Sequence, residues 1–204
     1  MTHSTVPPTA PSLDAAQAAG FPVGGEPLAV DLADTVVTTS EPPADLLADA
    51  GACERFWAFQ SPRLPGGWQV PSLSDTRELR DAIRQLLDAT QARTRLDTSA
   101  IDVVNRASGT ASTTLQAGQA DSGLACVCRW HTADPTALPL AAAARSAIEI
   151  LTDATTAERL RRCANPACSM LFINGDSRRQ WCTPNICGNR ARVARHYRRH
   201  RPPA

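Results

Sequence analysis

Hydrophobic and polar residues alternate in several different rhythms along this 204-residue chain, and each rhythm predicts an element. Residues 1–24 are rich in Pro, Ala, Ser and Thr and show no period. They carry too little apolar surface to offset the entropy of ordering, so a disordered arm is expected. From 27 to 39, PLAVDLADTVVTT places aliphatic and β-branched residues in near-alternation between the Gly24-Gly25 and Pro42-Pro43 breaks, which predicts a strand. Three helices should follow. The first covers about 44–59, with Leu46, Leu47, Ala50, Phe56 and Trp57 near one face. The second opens at a Ser74 or Asp75 cap with Glu78 placed for a capping box, and Leu79, Ile83, Leu86 and Leu87 recur at helical spacing. The third is short, about 98–106, around Ile101 and Val104.

ASTTLQAG and LACVCRWHT flank a polar, glycine-containing turn and predict a β-hairpin. On its second strand Cys126, Cys128 and Trp130 share one face, and Val127 and Arg129 the other. Cys126-x-Cys128 can be read as a metal or redox pair, or as two small hydrophobes buried beside Trp130. The second reading is preferred, because free cysteine is among the most buried residue types. A long helix over about 138–162, carrying Ala141, Ile148, Leu151 and Leu160, then leads to the remaining cysteines. The pattern adds up to an α+β fold: a small antiparallel or mixed sheet packed with helices over 25–157, followed by a small C-terminal knuckle that carries four of the cysteines and a basic helix over 158–204.

Composition limits the size of this fold. With four Phe, four Trp and one Tyr, Ala, Leu and Val must fill most of a modest core. No run approaches the roughly eighteen apolar residues of a membrane span, and the first residues lack a basic start and an apolar stretch, so a cytoplasmic protein with no membrane partner is expected. In a reducing compartment seven cysteines point to metal ligands or core residues before disulfides.

The spacing Cys163-x4-Cys168-x13-Cys182-x4-Cys187 decides between those uses for four of the seven. Two close pairs joined by a short loop let four thiolates converge on one tetrahedral zinc, with Pro166 and Pro184 stiffening the two turns. Phe172 and Trp181 are the expected hydrophobic partners of a segment that depends on its metal for stability. A two-Cys, two-His finger using Cys182, Cys187, His196 and His200 is the rival. It has only eight residues between Cys187 and His196, against about twelve in the usual finger, and leaves Cys163 and Cys168 without a role. Disulfides, or cysteines that bind no metal at all, are also open to this spacing.

The tetrapeptide Cys187-Gly188-Asn189-Arg190, preceded by RRQWC and followed by ARVARHYRR, closely resembles the CGNR zinc finger. GEPLAVDLADTVV, ELRDAIRQLLDATQA and DVVN upstream are similar to the ABATE domain that usually precedes that finger. The resemblance implies a bacterial, stress-linked transcriptional regulator whose finger binds DNA. Two positions depart from the pattern: Asp34 stands where Asn is expected, and the loop INGDSRRQ is shorter than the usual version.

Charge separates the two parts as well. The formal total is +1, yet residues 158–204 hold eleven Arg against two acids, or +9, while residues 1–157 hold ten Arg against eighteen acids, or −8. From Cys187 to Arg201 the chain has helical propensity, ended by Pro202-Pro203. On a helical wheel Arg192, Arg195, Arg198 and Arg199 fall within about 120°, with Val193, Ala194 and Tyr197 opposite. Guanidinium forks on one helix face suit phosphates and guanine edges, so these residues, with Arg178 and Arg179 in the preceding loop, are the candidate nucleic-acid contacts. Arg190 falls among the packing residues and is expected to be structural, as are Gly188, allowing close backbone approach, and Asn189, capping the helix or bonding a thiolate-bearing loop.

Duplex DNA is therefore the expected partner. An acidic protein partner, docking on the chain's own acidic part, and RNA, for which few aromatics are on offer, are the competing readings. Ligand sensing and a homo-oligomer are both open to the upstream part. An enzyme is not expected: outside the zinc region the only histidines are His3 and His131, no Gly-rich phosphate loop or Ser-His-Asp pattern occurs, and a zinc held by four cysteines has no open position for water.

Overall fold

A computed structural model of the chain describes residues 10–21, 24–120, 123–176, 178–189 and 192–193. Among the described residues the chain forms helices and three separate two-stranded antiparallel sheets. The arm expected to be disordered over 1–24 is corrected where it is described. Ser12 caps a short helix α1 (Leu13–Ala18) by accepting from the Ala15 N–H, and Ala16 and Phe21 are buried in the core. Phe21 lies edge-on to Phe56 and stacked with Phe59, which is the apolar burial that the arm's composition conceals.

The strand expected over 27–39 is instead a helix followed by a two-residue strand. After Pro27, residues Leu28–Ala33 form α2, all six of them buried, and only Val36–Val37 (β1) is extended, paired with Ala44–Asp45 (β2). Burial on every side explains the misreading. Leu28, Val30 and Leu32 alternate, but Leu28 with Leu32 and Ala29 with Ala33 also repeat at helical spacing, and a fully buried segment has no polar face to break the tie. The next helix, α3 (Ala50–Gln60), starts later than 44 because β2 occupies Ala44–Asp45 and Asp49 caps the helix by accepting from Ala52 N. Its Phe56 and Trp57 are fully buried, and the Trp57 indole donates to Thr76 Oγ1 at 3.1 Å.

Helix α4 (Leu73–Ala92) carries the expected face of Leu79, Ile83, Leu86 and Leu87. Its cap is Ser72, however, and Glu78 pairs with Arg106 across to α5 (Thr98–Gly109) instead of closing a capping box. The hairpin forms as expected from β3 (Ser112–Ala120) and β4 (Gly123–His131), with Leu115 opposite Cys128 and Ala117 opposite Cys126. Its packing is corrected: Cys126 is exposed, Cys128 half-buried, and the buried residue is Val127 on the other face. Val127 lies over Gly118, where an added Cβ would sit 2.7 Å from its Cγ2. The hairpin meets the body chiefly at its base, where Trp130 packs against Ala111, Leu138 and Ala141.

Helix α6 (Ala137–Thr152) stops short of the expected 162. Asp153 turns extended and caps a new helix, α7 (Ala154–Arg159), by accepting from Thr155 N. The chain then runs as β5 (Leu160–Arg162) against β6 (Leu171–Ile173), which brings in the C-terminal cysteines. Leu160, Cys163, Cys168, Met170, Leu171, Cys182, Ile186 and Cys187 belong to the same buried cluster as the residues of α2, α3, α4 and α6. The small C-terminal knuckle is present, and its core continues that of the main body.

Candidate metal centre and the arginines around it

Each half of the cysteine cluster is a tight turn held by its own small polar residue. In the first, Cys168 N–H donates to the Asn165 carbonyl at 2.8 Å, and the Asn165 side-chain oxygen accepts from Ala167 N at 3.1 Å. In the second, the Thr183 hydroxyl accepts from Ile186 N at 3.2 Å, while its carbonyl accepts from Cys187 N at 3.3 Å and Gly188 N at 3.0 Å, closing a wide turn at Pro184–Gly188. Two backbone bonds of 2.9 Å hold the halves in place: Cys163 N to Met170 O continues the β5–β6 ladder into the first turn, and Ala164 N to Gln180 O ties that turn to the segment leading into the second.

The four sulfurs of Cys163, Cys168, Cys182 and Cys187 consequently meet. All are buried, their ligand atoms lie within 4.8 Å of one another, and Cys168 Sγ is 3.9 Å from Cys182 Sγ. A tetrahedron with zinc–sulfur bonds of about 2.3 Å has edges of about 3.8 Å, so the donor set and its spacing fit one structural zinc. The two-Cys, two-His alternative competes poorly with a complete four-sulfur set; His196 and His200 lie outside the described residues. Left to share protons, the thiols of Cys168 and Cys182 donate to the Cys163 sulfur and hold its thiol well below the ordinary cysteine value. Holding that proton for Cys163 pushes Cys168 up to about 12, and Cys182 is raised by its bonds to the same two sulfurs and by burial. Four thiolates become stable together only with a divalent cation among them.

Among the described residues the Asn165 side chain bonds a ligand sulfur, with its Nδ2 3.3 Å from Cys187 Sγ. The Asn189 side chain accepts from the exposed Arg192 guanidinium at 2.6 Å. Asn165-Pro166 and Thr183-Pro184 both carry the turn-initiating pattern of a small polar residue before proline, a signal that would have found both turn-holding residues. Phe172 is buried as expected, and Trp181 is half-buried.

The two neighbouring loop arginines part company. Arg178 is 90% exposed and, among the described residues, pairs with Asp176 of its own loop at 3.4 Å. Arg179, expected at a phosphate, is engaged within the chain. Its guanidinium stacks on Phe172 at 4.3 Å, pairs with Glu26 at 2.6 Å, and donates to the carbonyls of Trp181 and Cys182. Arg162 is likewise paired, with Asp88 at 2.6 Å. Arg190, Arg195, Arg198 and Arg199 lie outside the described residues.

Two family models match the chain in succession. The one for ABATE, described as "Putative stress-induced transcription regulator", covers residues 26–154, more than half the chain. The chain belongs to the ABATE family. The CGNR zinc finger model covers residues 159–200 and contains all four cysteines. A search of curated proteins found no match. Within this framework the ABATE part contributes α2 to α6, the CGNR part contributes β5, β6 and the zinc site, and the two share one core. No helix among the described residues is long and apolar enough to cross a membrane.

Proposed function

We propose that this ABATE-family protein is a cytoplasmic DNA-binding transcriptional regulator, not an enzyme, in which one structural zinc fixes the base of an arginine-rich helix against the phosphate backbone. The observation that carries the reading is the division of the arginines around the zinc site. Arg162 and Arg179 pair with Asp88 and Glu26 of the ABATE part, whereas Arg178 and Arg192 have no partner from that part among the described residues. The family description and the +9 charge of residues 158–204 support the same partner. A closed shell of four buried thiolates fits a structural metal and leaves no coordination position for a substrate.

Fluorescence anisotropy of the zinc-loaded chain on duplex DNA tests the proposal. Binding should be lost in an Arg192→Ala/Arg195→Ala/Arg199→Ala variant that still holds zinc. Unchanged binding by that variant, or preference for single-stranded RNA over duplex DNA, contradicts it. The inward ion pairs favour a second, compatible reading for one side of the finger: its basic residues dock on the chain's own acidic part, which orients the opposite side outward.

A further inference from the structure

Among the described residues β6 is paired on one side only. Cys163 N donates to Met170 O, Asn174 N donates to Arg159 O, and Phe172 stands opposite Arg161, so residues 170, 172 and 174 face β5. The N–H groups of Ser169, Leu171 and Ile173 must then point to the open edge, because alternate residues of a strand present their backbone groups to opposite sides. A buried edge with unpaired donors is costly.

Side chains from one short stretch of the ABATE part take these donors one by one. Ser169 N donates to Thr38 Oγ1 at 2.9 Å, Leu171 N to both Asp34 oxygens at 2.9 and 3.1 Å, and Ile173 N to Glu26 Oε2 at 2.9 Å. The Thr38 hydroxyl also donates to Ala167 O at 2.8 Å, so it brackets the ligand Cys168 from both sides. Arg84, itself 3.1 Å from Asp34, donates to the Ser169 carbonyl.

We propose that Glu26, Asp34 and Thr38 are positioning residues of the zinc site: they complete the edge of the first cysteine knuckle, so zinc retention by the CGNR finger depends on the ABATE part. The inference rests on the four-cysteine site and is independent of DNA binding. Burial pushes the Asp34 carboxyl well above the usual carboxylate range, against the pull of Arg84 and the Leu171 N–H. What the edge needs at this position is an acceptor oxygen for the Leu171 N–H, so the conservative change to Asn, which keeps one, becomes a rescue.

The test uses the full zinc-loaded chain, titrated with a chromophoric chelator, with circular dichroism reporting helix content and the cobalt-substituted thiolate spectrum reporting site geometry. Thr38→Val should weaken zinc retention about tenfold, the low end of the range for outer-shell partners, with helix content unchanged. Asp34→Ala should weaken it at least as much, and Asp34→Asn should restore it. Val104→Ala, a core truncation in α5, should lower the melting temperature and leave zinc retention intact. The proposal is overturned if Thr38→Val and a folded Asp34→Ala hold zinc like the parent, or if Val104→Ala loses zinc equally. Should Asp34→Ala fail to fold, Thr38→Val at the half-buried rim decides alone.

Discussion

Replacing Arg179 and Arg178 singly by Ala separates the internal from the external arginines of this protein. Arg179 loses three things at once. Stacking on Phe172 at 4.3 Å is worth about 1 kcal/mol when partly desolvated. The pair with Glu26, whose side chains are 34% and 12% exposed, contributes about 1 kcal/mol once solvent screening is allowed for. Leaving the Trp181 and Cys182 carbonyls without their donor costs about 1 kcal/mol more. Because these contacts share one guanidinium they are not strictly additive, and about 2–3 kcal/mol is expected, a fall in melting temperature of about 5–10 °C for a chain of this size. Arg178 is 90% exposed, and its contact with Asp176 should leave stability within about 0.5 kcal/mol of the parent. On duplex DNA the order reverses: Arg178→Ala should reduce the salt slope by about one, and Arg179→Ala, measured where it is folded, should leave it unchanged. Thermal denaturation followed by circular dichroism, paired with binding at several salt concentrations, reads both quantities. Equal melting temperatures for the two variants, or a salt slope altered by Arg179→Ala alone, would refute the division.

Three further outcomes follow from the site's chemistry. Metal analysis should find one zinc per chain in the parent and none in Cys182→Ser, because three sulfurs with an oxygen in the fourth place make a far weaker structural site. Zinc should be lost as pH falls, since protons compete for the thiolates. With Cys168 and Cys182 both pushed above the ordinary thiol value, zinc binding near pH 7 should release at least two protons, measurable by calorimetry in buffers of different ionisation enthalpy. Alkylation of the native zinc-loaded protein, read by mass spectrometry, should modify exposed Cys126 first and half-buried Cys128 next, sparing buried Cys53 and the four ligands; modification of a ligand before Cys126 would contradict the placement.

The legible parts of the fold were those whose signal is local. The apolar face of α4 repeats from Leu79 to Leu87 with a polar face opposite, and the β3–β4 hairpin announces itself by two runs around a turn. The zinc site is legible for the same reason, because ligand spacing within each turn is a local property. Segments whose form depends on distant neighbours were misread. α2 is buried all round and so lacks a polar face, the break after Thr152 rests on a single aspartate changing from helix interior to cap, and Phe21 is ordered only because Phe56 and Phe59 await it. The exposure of Cys126 follows from the hairpin's leaving the body, which residue type alone does not encode. Glu26, Asp34 and Thr38 were invisible as contacts of the finger because their partners lie more than 120 residues away, although Asp34 stood out as a departure from the family pattern.

The central claim, that the zinc-bound finger presents its outward arginines to DNA, is tested most directly by the salt dependence of duplex binding by the zinc-loaded chain. Four to five phosphate contacts predict that the logarithm of the binding constant falls with the logarithm of salt concentration with a slope of about −4. The slope should collapse when Arg192, Arg195 and Arg199 are replaced together by Ala. A slope near zero, or the full slope retained by that triple variant with its zinc in place, would contradict the account.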